Sequence, residues 1–284
     1  GSVSRESLIG PNDKPFSILK GDIRFTGAYG WEVLSTKPDK SETKIRFHNA
    51  VDLVSPTFSN QKENLLKNLV YASEDSIIVN HVSDTFDNYN RKINTDNPYQ
   101  SKPETKITRV VVIGLKTGVI FEYSHLMLLY EGQIFNSANF NLNKTPKYVG
   151  SGSQLGFVGP FGSTLGAHLH AIAYASDEGI NNKEFIQLKK LIETTEVGYI
   201  NNASLLAQVR KLGNREPNRY GYKIVDPEPI LRNSGYGGFV KGLPTDGAWA
   251  VRPKIINLTP NDFETAKSIY ESSGYSGITL AKGL

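Results

Sequence analysis

Short runs of alternating apolar and polar residues, separated by turn residues, fill the chain between Phe16 and about Ala173. This pattern is typical of β-strands that bury one face in an antiparallel sheet. The clearest runs predict strands over 108–113, 118–123, 155–158 and 167–174. The first two flank a short turn that closes at Gly118, so we expect a hairpin there. The fold class predicted for this part is mainly β.

Helical spacing of apolar residues begins near residue 182. Phe185, Leu188 and Ile192 indicate one helix, and a second is predicted from about Asn202 to a stop before Gly213. A third helix is predicted near the end of the chain, with the N-cap at Thr259, Pro260 at the first helical position and a stop at Gly274. We expect these helical segments to be additions to the β-rich domain.

The polar stretch 84–106 has no sustained period and many turn residues, so it predicts a long surface loop. The chain then divides into an N-terminal segment 1–20, one large domain 21–231 and a C-terminal extension 232–284. The large domain carries the loop insertion 84–106 and a helical insertion 182–212. A chain of 284 residues with 38% hydrophobic content can bury a core of this size.

The composition limits which metal ligands, nucleophiles and charged partners are possible. The chain has no cysteine, which excludes disulfides, cysteine-ligated zinc and a thiol nucleophile, so a bound metal must have nitrogen and oxygen ligands. The net charge is +4, but Lys and Arg alternate with Asp and Glu along the chain. Nucleic-acid binding would require a basic stripe, which the sequence does not show. The diffuse charge is compatible with an anionic polymer such as a cell wall.

No stretch approaches the roughly 18 apolar residues of a transmembrane helix, so we expect no membrane span. Gly1 and Ser2 stand where an initiator methionine would, and they resemble the remnant of a cleavage. We therefore expect a signal peptide or anchor to have been removed, and an extracytoplasmic protein.

Four of the five histidines fall into three short phrases: His48-x-x-x-Asp52, Tyr-Ser-His125-Leu and His168-Leu-His170. A hydrolytic zinc ion needs about three ligands from His, Asp or Glu and one open position for water. If His48 and Asp52 lie on one strand, positions four apart share a face and can approach one ion. The third ligand can come from either histidine of the last phrase.

Single elements of this set have ordinary explanations. A lone His near an Asp is more often a structural pair than a metal site, and the fifth histidine, His81, matches no motif and reads as a strand residue with a local hydrogen bond. The metal prediction therefore depends on the phrases occurring together and in order.

Taken together, the phrases resemble the lysostaphin-like, LytM-type zinc peptidoglycan endopeptidases. The family's His-x-Gly-x-Asp corresponds to 48–52, its Tyr-x-His-Leu to 123–126, and its Gly-x-Ser-Thr-Gly-Pro-His-Leu-His is approximated by 162–170. The resemblance spans roughly 20–231. Ala50 replaces the usual glycine of the first motif, where a positive φ would be strained.

The resemblance implies an antiparallel β-sheet or sandwich metallopeptidase domain, the duplicated hybrid motif. It implies that His48, Asp52 and His170 bind Zn²⁺, while His125 and His168 orient the attacking water and transfer protons. Tyr29 resembles a tyrosine whose hydroxyl helps to hold the oxyanion. The implied activity is hydrolysis of a peptide bond in peptidoglycan cross-links or stem peptides.

Two other functions remain open at this stage. Some relatives of the fold have lost their ligands and activate another wall hydrolase, so a non-catalytic wall-binding regulator is one alternative. Hydrolysis of another substrate, such as glycine-rich proteins, is a second. The sequence leaves open which bond is cut, the oligomeric state, the role of 232–284, and whether a loop or terminal segment blocks the groove.

Overall fold

The computed structural model describes residues 18–20, 23–55, 57–58, 67–93, 105–130, 133–134, 147–162, 164, 166–193, 203–212, 220–233, 239–240 and 258–281. In these ranges the strands are β1 (Ile23–Gly27), β2 (Gly30–Thr36), β3 (Thr43–His48), β4 (Val51–Val54), β5 (Leu69–Tyr71), β6 (Ser76–Val82), β7 (Arg109–Gly114), β8 (Ile120–Ser124), β9 (Leu126–Tyr130), β10 (Gln133–Ile134), β11 (Lys147–Val149), β12 (Gln154–Val158), β13 (Leu169–Ser176), β14 (Tyr222–Val225), β15 (Phe239–Val240) and β16 (Ile278–Leu280). The helices are α1 (Phe86–Ile93), α2 (Lys183–Glu193), α3 (Ala203–Leu212), α4 (Pro227–Asn233) and α5 (Phe263–Ser272). The mainly β prediction is confirmed.

The largest sheet of the described chain has nine strands in the order β11-β6-β7-β8-β13-β4-β1-β15, with β14 paired to β13. A four-stranded sheet, β10-β9-β12-β5, packs against one face of it. The core between them contains Leu53 and Phe121 from the large sheet and Leu126 and Leu155 from the small one. Alternation along each strand makes this a sandwich core and sends the intervening side chains to the opposite face.

Helices α2 and α3 cover part of that opposite face. Phe185 and Leu188 of α2 and Val209 and Leu212 of α3 are buried against strand residues such as Ile172. The two helices predicted within 182–212 are therefore present, and they close a second core. The predicted strands and the hairpin around Gly118 are also present, with ends that differ by one or two residues.

The prediction of a surface loop over 84–106 is wrong for the first part of that segment, which forms helix α1. The hydroxyl of Thr85 accepts a hydrogen bond from the Asn88 backbone amide at 3.2 Å and caps the helix. Tyr89 is fully buried and contacts Phe161 at a ring-centroid distance of 4.6 Å. Residues 94–104 lie outside the described part. The missed signal was the spacing of Phe86, Tyr89 and Ile93, which fits one helical face.

The segment from His48 to Asp52 is not one strand, as the shared-face prediction required. His48 ends β3 and Asp52 lies in β4, with a break at Asn49 and Ala50 between them. β3 pairs with β2 and β16 in a separate three-stranded sheet, whereas β4 belongs to the large sheet. The two residues meet because the chain passes from one sheet to the other.

Residues 258–281 of the C-terminal extension complete this three-stranded sheet with β16 and cover it with α5. Tyr270 of α5 and Ile278 of β16 form a third core with Trp31 and Phe47. The helix begins at Phe263 rather than Pro260, because Thr259–Asp262 forms a turn in which the Asp262 carboxylate accepts bonds from the Thr259 amide and hydroxyl. Gly274, with φ +92°, follows the helix as predicted. Within the described ranges, no helix has both the length and the apolar character needed to cross a bilayer.

Candidate metal centre

Strand register brings two of the predicted ligands together. His170 of β13 is directly opposite Asp52 of β4, and on the other side it is opposite Ser124, the last residue of β8. Directly opposed residues of an antiparallel pair point to the same face of the sheet. His170 Nδ1 consequently lies 2.9 Å from Asp52 Oδ1, although 118 positions separate the two residues in the sequence.

His48 reaches the same carboxylate from the three-stranded sheet. Its Nε2 lies 3.3 Å from Asp52 Oδ2, while His170 is next to the other oxygen. One donor atom from each of His48, Asp52 and His170 lies within 4.8 Å of the other two. The structure therefore brings together the three residues that the sequence resemblance assigns to zinc.

The remaining two histidines form the adjoining part of the site. Donor atoms of His125, His168 and His170 also lie within 4.8 Å of one another. The rings of His125 and His168 are 4.7 Å apart, and His168 Nε2 is 3.6 Å from Asp52 Oδ1. The structure places all five predicted polar residues in one cluster. Among the described residues, His81 is outside it, on β6.

Gly27 provides the space that Asp52 needs. It is opposite Asp52 across β1 and β4, next to a bulge, and a Cβ on Gly27 would lie 2.5 Å from Asp52 Oδ2. No side chain larger than hydrogen fits while the carboxylate keeps this position. The cradle and the two-imidazole, one-carboxylate donor set together suit a zinc ion.

Backbone carbonyls orient three of the histidine rings. His48 Nδ1 is 3.0 Å from Ala28 O, His125 Nδ1 is 2.7 Å from Phe161 O and His168 Nδ1 is 2.9 Å from Gly166 O. A carbonyl can only accept, so each Nδ1 carries the proton and each neutral ring keeps a bare Nε2. The Thr164 hydroxyl also lies 3.1 Å from His168 Nδ1. His48 can thus bind a metal through Nε2, and the other two rings can accept a proton there.

The pKa shifts in the cluster follow from burial and from the shared carboxylate. Burial alone would raise the pKa of Asp52, but the charge of His48 and hydrogen bonds from His170 and His48 hold it well below its usual value. Burial opposes the charged form of His48, but the Asp52 carboxylate, with Glu32 and the Ala28 carbonyl, raises its pKa overall. Asp52 is therefore an anion at neutral pH, as a metal ligand must be.

The environment of His125 lowers its pKa, in contrast to that of His48. Burial, together with repulsion from His168, lowers its pKa to about 3, against a favourable contribution from Phe161 O. Its ring is therefore neutral at physiological pH. The side chains of His168 and His170 keep 20% and 21% of their surface exposed, so the cluster is open on this side.

Tyr29 lies against the strand that carries His48. Its ring packs edge-on against Phe47 at 5.3 Å, and burial and the negative charge of Asp226 raise the pKa of its hydroxyl. Its two chain neighbours both contact His48, Ala28 through its carbonyl and Gly30 through strand pairing.

Ala50 is fully buried in the second core and does not have a positive φ, so the strain expected from the lost glycine does not arise. Ser163 and Leu165 lie outside the described residues.

Several residues that shape the site have no signal in the sequence. Gly27 and the carbonyls of Ala28, Phe161 and Gly166 are within contact distance of its side chains. Backbone carbonyls carry no residue signature, and a single glycine before an aromatic pair is common. These contacts become visible only when the strands are paired.

Comparisons with known proteins give the following similarities. No protein-family profile matches the chain, and a search of curated proteins finds no match. Among solved structures, the chain is similar to a zinc-containing peptidase from Vibrio cholerae at 16% identity and a TM-score of 0.30, over 56% of this chain and 36% of that one. It is similar to lysostaphin in solution at 16% identity and a TM-score of 0.34, over 87% and 62% of the two chains. A third similarity is to the catalytic domain of the antimicrobial peptidase lysostaphin from Staphylococcus simulans, at 14% identity and a TM-score of 0.28, over 81% and 98%. This chain spans less than two thirds of the length of the first two of these proteins.

Proposed function

We propose that this chain is a zinc-dependent endopeptidase of the lysostaphin-like type, which hydrolyses peptide bonds in the cross-links or stem peptides of bacterial peptidoglycan. One observation carries the proposal. His48, Asp52 and His170 offer three converging ligand atoms, and His125 and His168 offer two further rings beside them. These five side chains come from three separate sequence phrases and are brought together by two different sheets.

In this proposal His48, Asp52 and His170 hold the zinc ion. When bound, zinc polarises the scissile carbonyl and lowers the pKa of its water. His125 and His168, whose Nδ1 atoms are held by carbonyls, each present a bare Nε2 that can accept the proton of the attacking water. The protonated ring can then donate to the leaving amine.

Tyr29 is proposed as the donor that stabilises the oxyanion. Its support is its position between two residues that contact His48. The raised pKa of its hydroxyl keeps the proton on the oxygen at neutral pH, as a hydrogen-bond donor requires. A Tyr29→Phe variant should bind zinc normally and turn over more slowly.

The substrate class and location are part of the same proposal. The net charge of +4 favours approach to an anionic wall polymer, and the substrate lies outside the cytoplasm. The exposed side of His168 and His170 leaves room for an extended peptide beside the ligands. The alternative substrate, a glycine-rich protein, would use the same five residues.

The deciding experiment measures zinc per chain and release of peptide fragments from purified peptidoglycan by mass spectrometry. His170→Ala should lose both zinc and cleavage, whereas His168→Ala should keep zinc and lose cleavage. His81→Gln, a histidine outside the cluster, serves as the matched control and should keep both. Zinc binding without cleavage of any wall fragment by the wild type would reject the wall hydrolase. Failure to bind zinc would favour the regulatory alternative.

A further inference from the structure

His125 has an unusual backbone conformation. It joins β8 to β9 with φ +68°, in the left-handed region that few non-glycine residues adopt. Such a conformation persists only where the surrounding contacts specify it. Three contacts do so here: the His125 amide donates to Thr108 O at 2.9 Å, its carbonyl accepts from Phe161 N at 3.5 Å, and its ring donates to Phe161 O at 2.7 Å. The position of His125 therefore depends on Thr108 and Phe161.

The segment 105–108 connects both of these supports. The Thr105 hydroxyl accepts a hydrogen bond from Gly162 N, the residue after Phe161, at 2.7 Å. The Thr108 hydroxyl donates to Leu126 O, the residue after His125, at 2.6 Å. Gly162, with φ +92°, lies so close to the segment that a Cβ there would be 2.8 Å from Ile107 Cα. The segment thus fixes the chain on both sides of the His125 ring.

Asp84 fixes the segment in turn. One carboxylate oxygen accepts from Lys106 N at 2.7 Å, and the other accepts from Thr85 N at 2.7 Å and Asn88 Nδ2 at 2.8 Å. Asp84 therefore ties together the two ends of the 84–106 insertion. Helix α1, at the start of the insertion, attaches the insertion to Phe161 a second time, because the buried ring of Tyr89 packs on the Phe161 ring.

We propose that Thr105 and Asp84 are positioning residues for His125, and that the two described ends of the 84–106 insertion, 84–93 and 105–106, serve to brace this histidine. The inference rests on the proposed function, in which His125 accepts the proton of the attacking water. Neither residue touches the zinc-ligand set. Both act through Phe161 O, whose place relative to β8 sets the direction of His125 Nε2.

Thr105→Val tests this with the loss of one hydroxyl at nearly constant shape. Gly162 N then loses its acceptor, so the peptide unit that contains the Phe161 carbonyl loses one of its supports. We expect kcat on a defined cross-linked wall peptide to fall about tenfold, the lower end for partners behind a site histidine, with KM and zinc content unchanged. Thr105→Ser keeps the hydroxyl and should restore kcat.

Thr117→Val is the matched control. Its hydroxyl also accepts a backbone N–H, from Val119 at 3.2 Å, but it lies in the turn at the other end of β8. It should lose stability without losing kcat. Asp84→Asn should lower kcat in the same way as Thr105→Val, and the double variant should lose less than the product of the single losses, because both changes act on one support.

A second readout separates this inference from the proposed function. In protein with ¹⁵N-labelled histidine, the His125 ring should show one Nδ1-protonated tautomer, assigned by its absence in His125→Asn. Thr105→Val should shift or broaden this signal and Thr117→Val should leave it unchanged, even if no wall peptide is cleaved. The inference is wrong if Thr105→Val leaves the His125 signal unaltered, or if it lowers zinc content as much as it lowers kcat.

Discussion

Gly27 and Asp52 face each other across β1 and β4 so closely that a methyl group on Gly27 would lie 2.5 Å from an Asp52 oxygen. The glycine is therefore part of the candidate metal centre, although it has no side chain to offer. Its hydrogen leaves the volume that the carboxylate occupies.

Gly27→Ala should displace the Asp52 carboxylate and weaken zinc binding about tenfold or more. Competition with a chromogenic chelator measures the zinc affinity. Gly179→Ala is the control, since nothing lies within 4 Å of its added Cβ, although its φ of +56° will cost about 1 kcal/mol of stability. Equal zinc affinity in Gly27→Ala and wild type would show that the cradle is not needed.

Removal of zinc should lower the melting temperature, because the unfolded chain cannot hold ligands from positions 48, 52 and 170 together. At free zinc 100-fold above its Kd, the bound ion should stabilise the fold by about 2.7 kcal/mol. Scanning calorimetry with and without a chelator measures the shift. In His170→Ala the chelator should have no effect, and a persistent shift there would place the stabilising metal elsewhere.

Tyr270 of the C-terminal helix packs against the sheet that contains β3, the strand that ends in His48. Its ring is fully buried beside Trp31 and Phe47, and its hydroxyl donates to Trp31 O at 2.9 Å. Tyr270→Ala should cost about 3–5 kcal/mol of unfolding free energy and weaken zinc binding, since β3 loses its support. Tyr270→Phe should cost only about 1 kcal/mol.

Ile269→Ala, on the exposed side of the same helix, provides the control for this series and should change little. Urea denaturation gives the free energies. If Tyr270→Ala lowers stability but zinc affinity is unchanged, the helix is an appendage with no influence on the site.

His125 should make the metal-free protein sensitive to acid. Its pKa is lowered from the usual 6.5 to about 3 by burial and by His168. Between these values the unfolded chain binds a proton that the folded chain does not, so stability falls as the pH falls through this window. Asparagine tolerates a positive φ and has no side chain that titrates in this window, so His125→Asn removes the effect. Its unfolding free energy, measured in chelator at pH 5 and pH 7, should change less than that of wild type; parallel slopes would contradict the assignment.

Much of the fold could be predicted from local pattern. Alternation and turn residues identified the hairpin of β7 and β8 and strand β13, and helical spacing identified α2 and α3, because each pattern reports which side of an element is buried. Helix α1 was missed since its few apolar residues lie in a polar segment. Its stability depends on Tyr89 reaching a pocket beside Phe161, which belongs to a distant part of the chain.

The sequence by itself determined the inventory of the site: five polar side chains in three ordered phrases, without cysteine. Only the tertiary structure decided how they meet. The register of β4 against β13 sets His170 beside Asp52, the turn at Asn49 and Ala50 brings His48 from another sheet, and backbone carbonyls select the ring nitrogen that each oriented histidine presents. Register and carbonyl direction arise from pairing between strands far apart in the chain, and no local pattern encodes them.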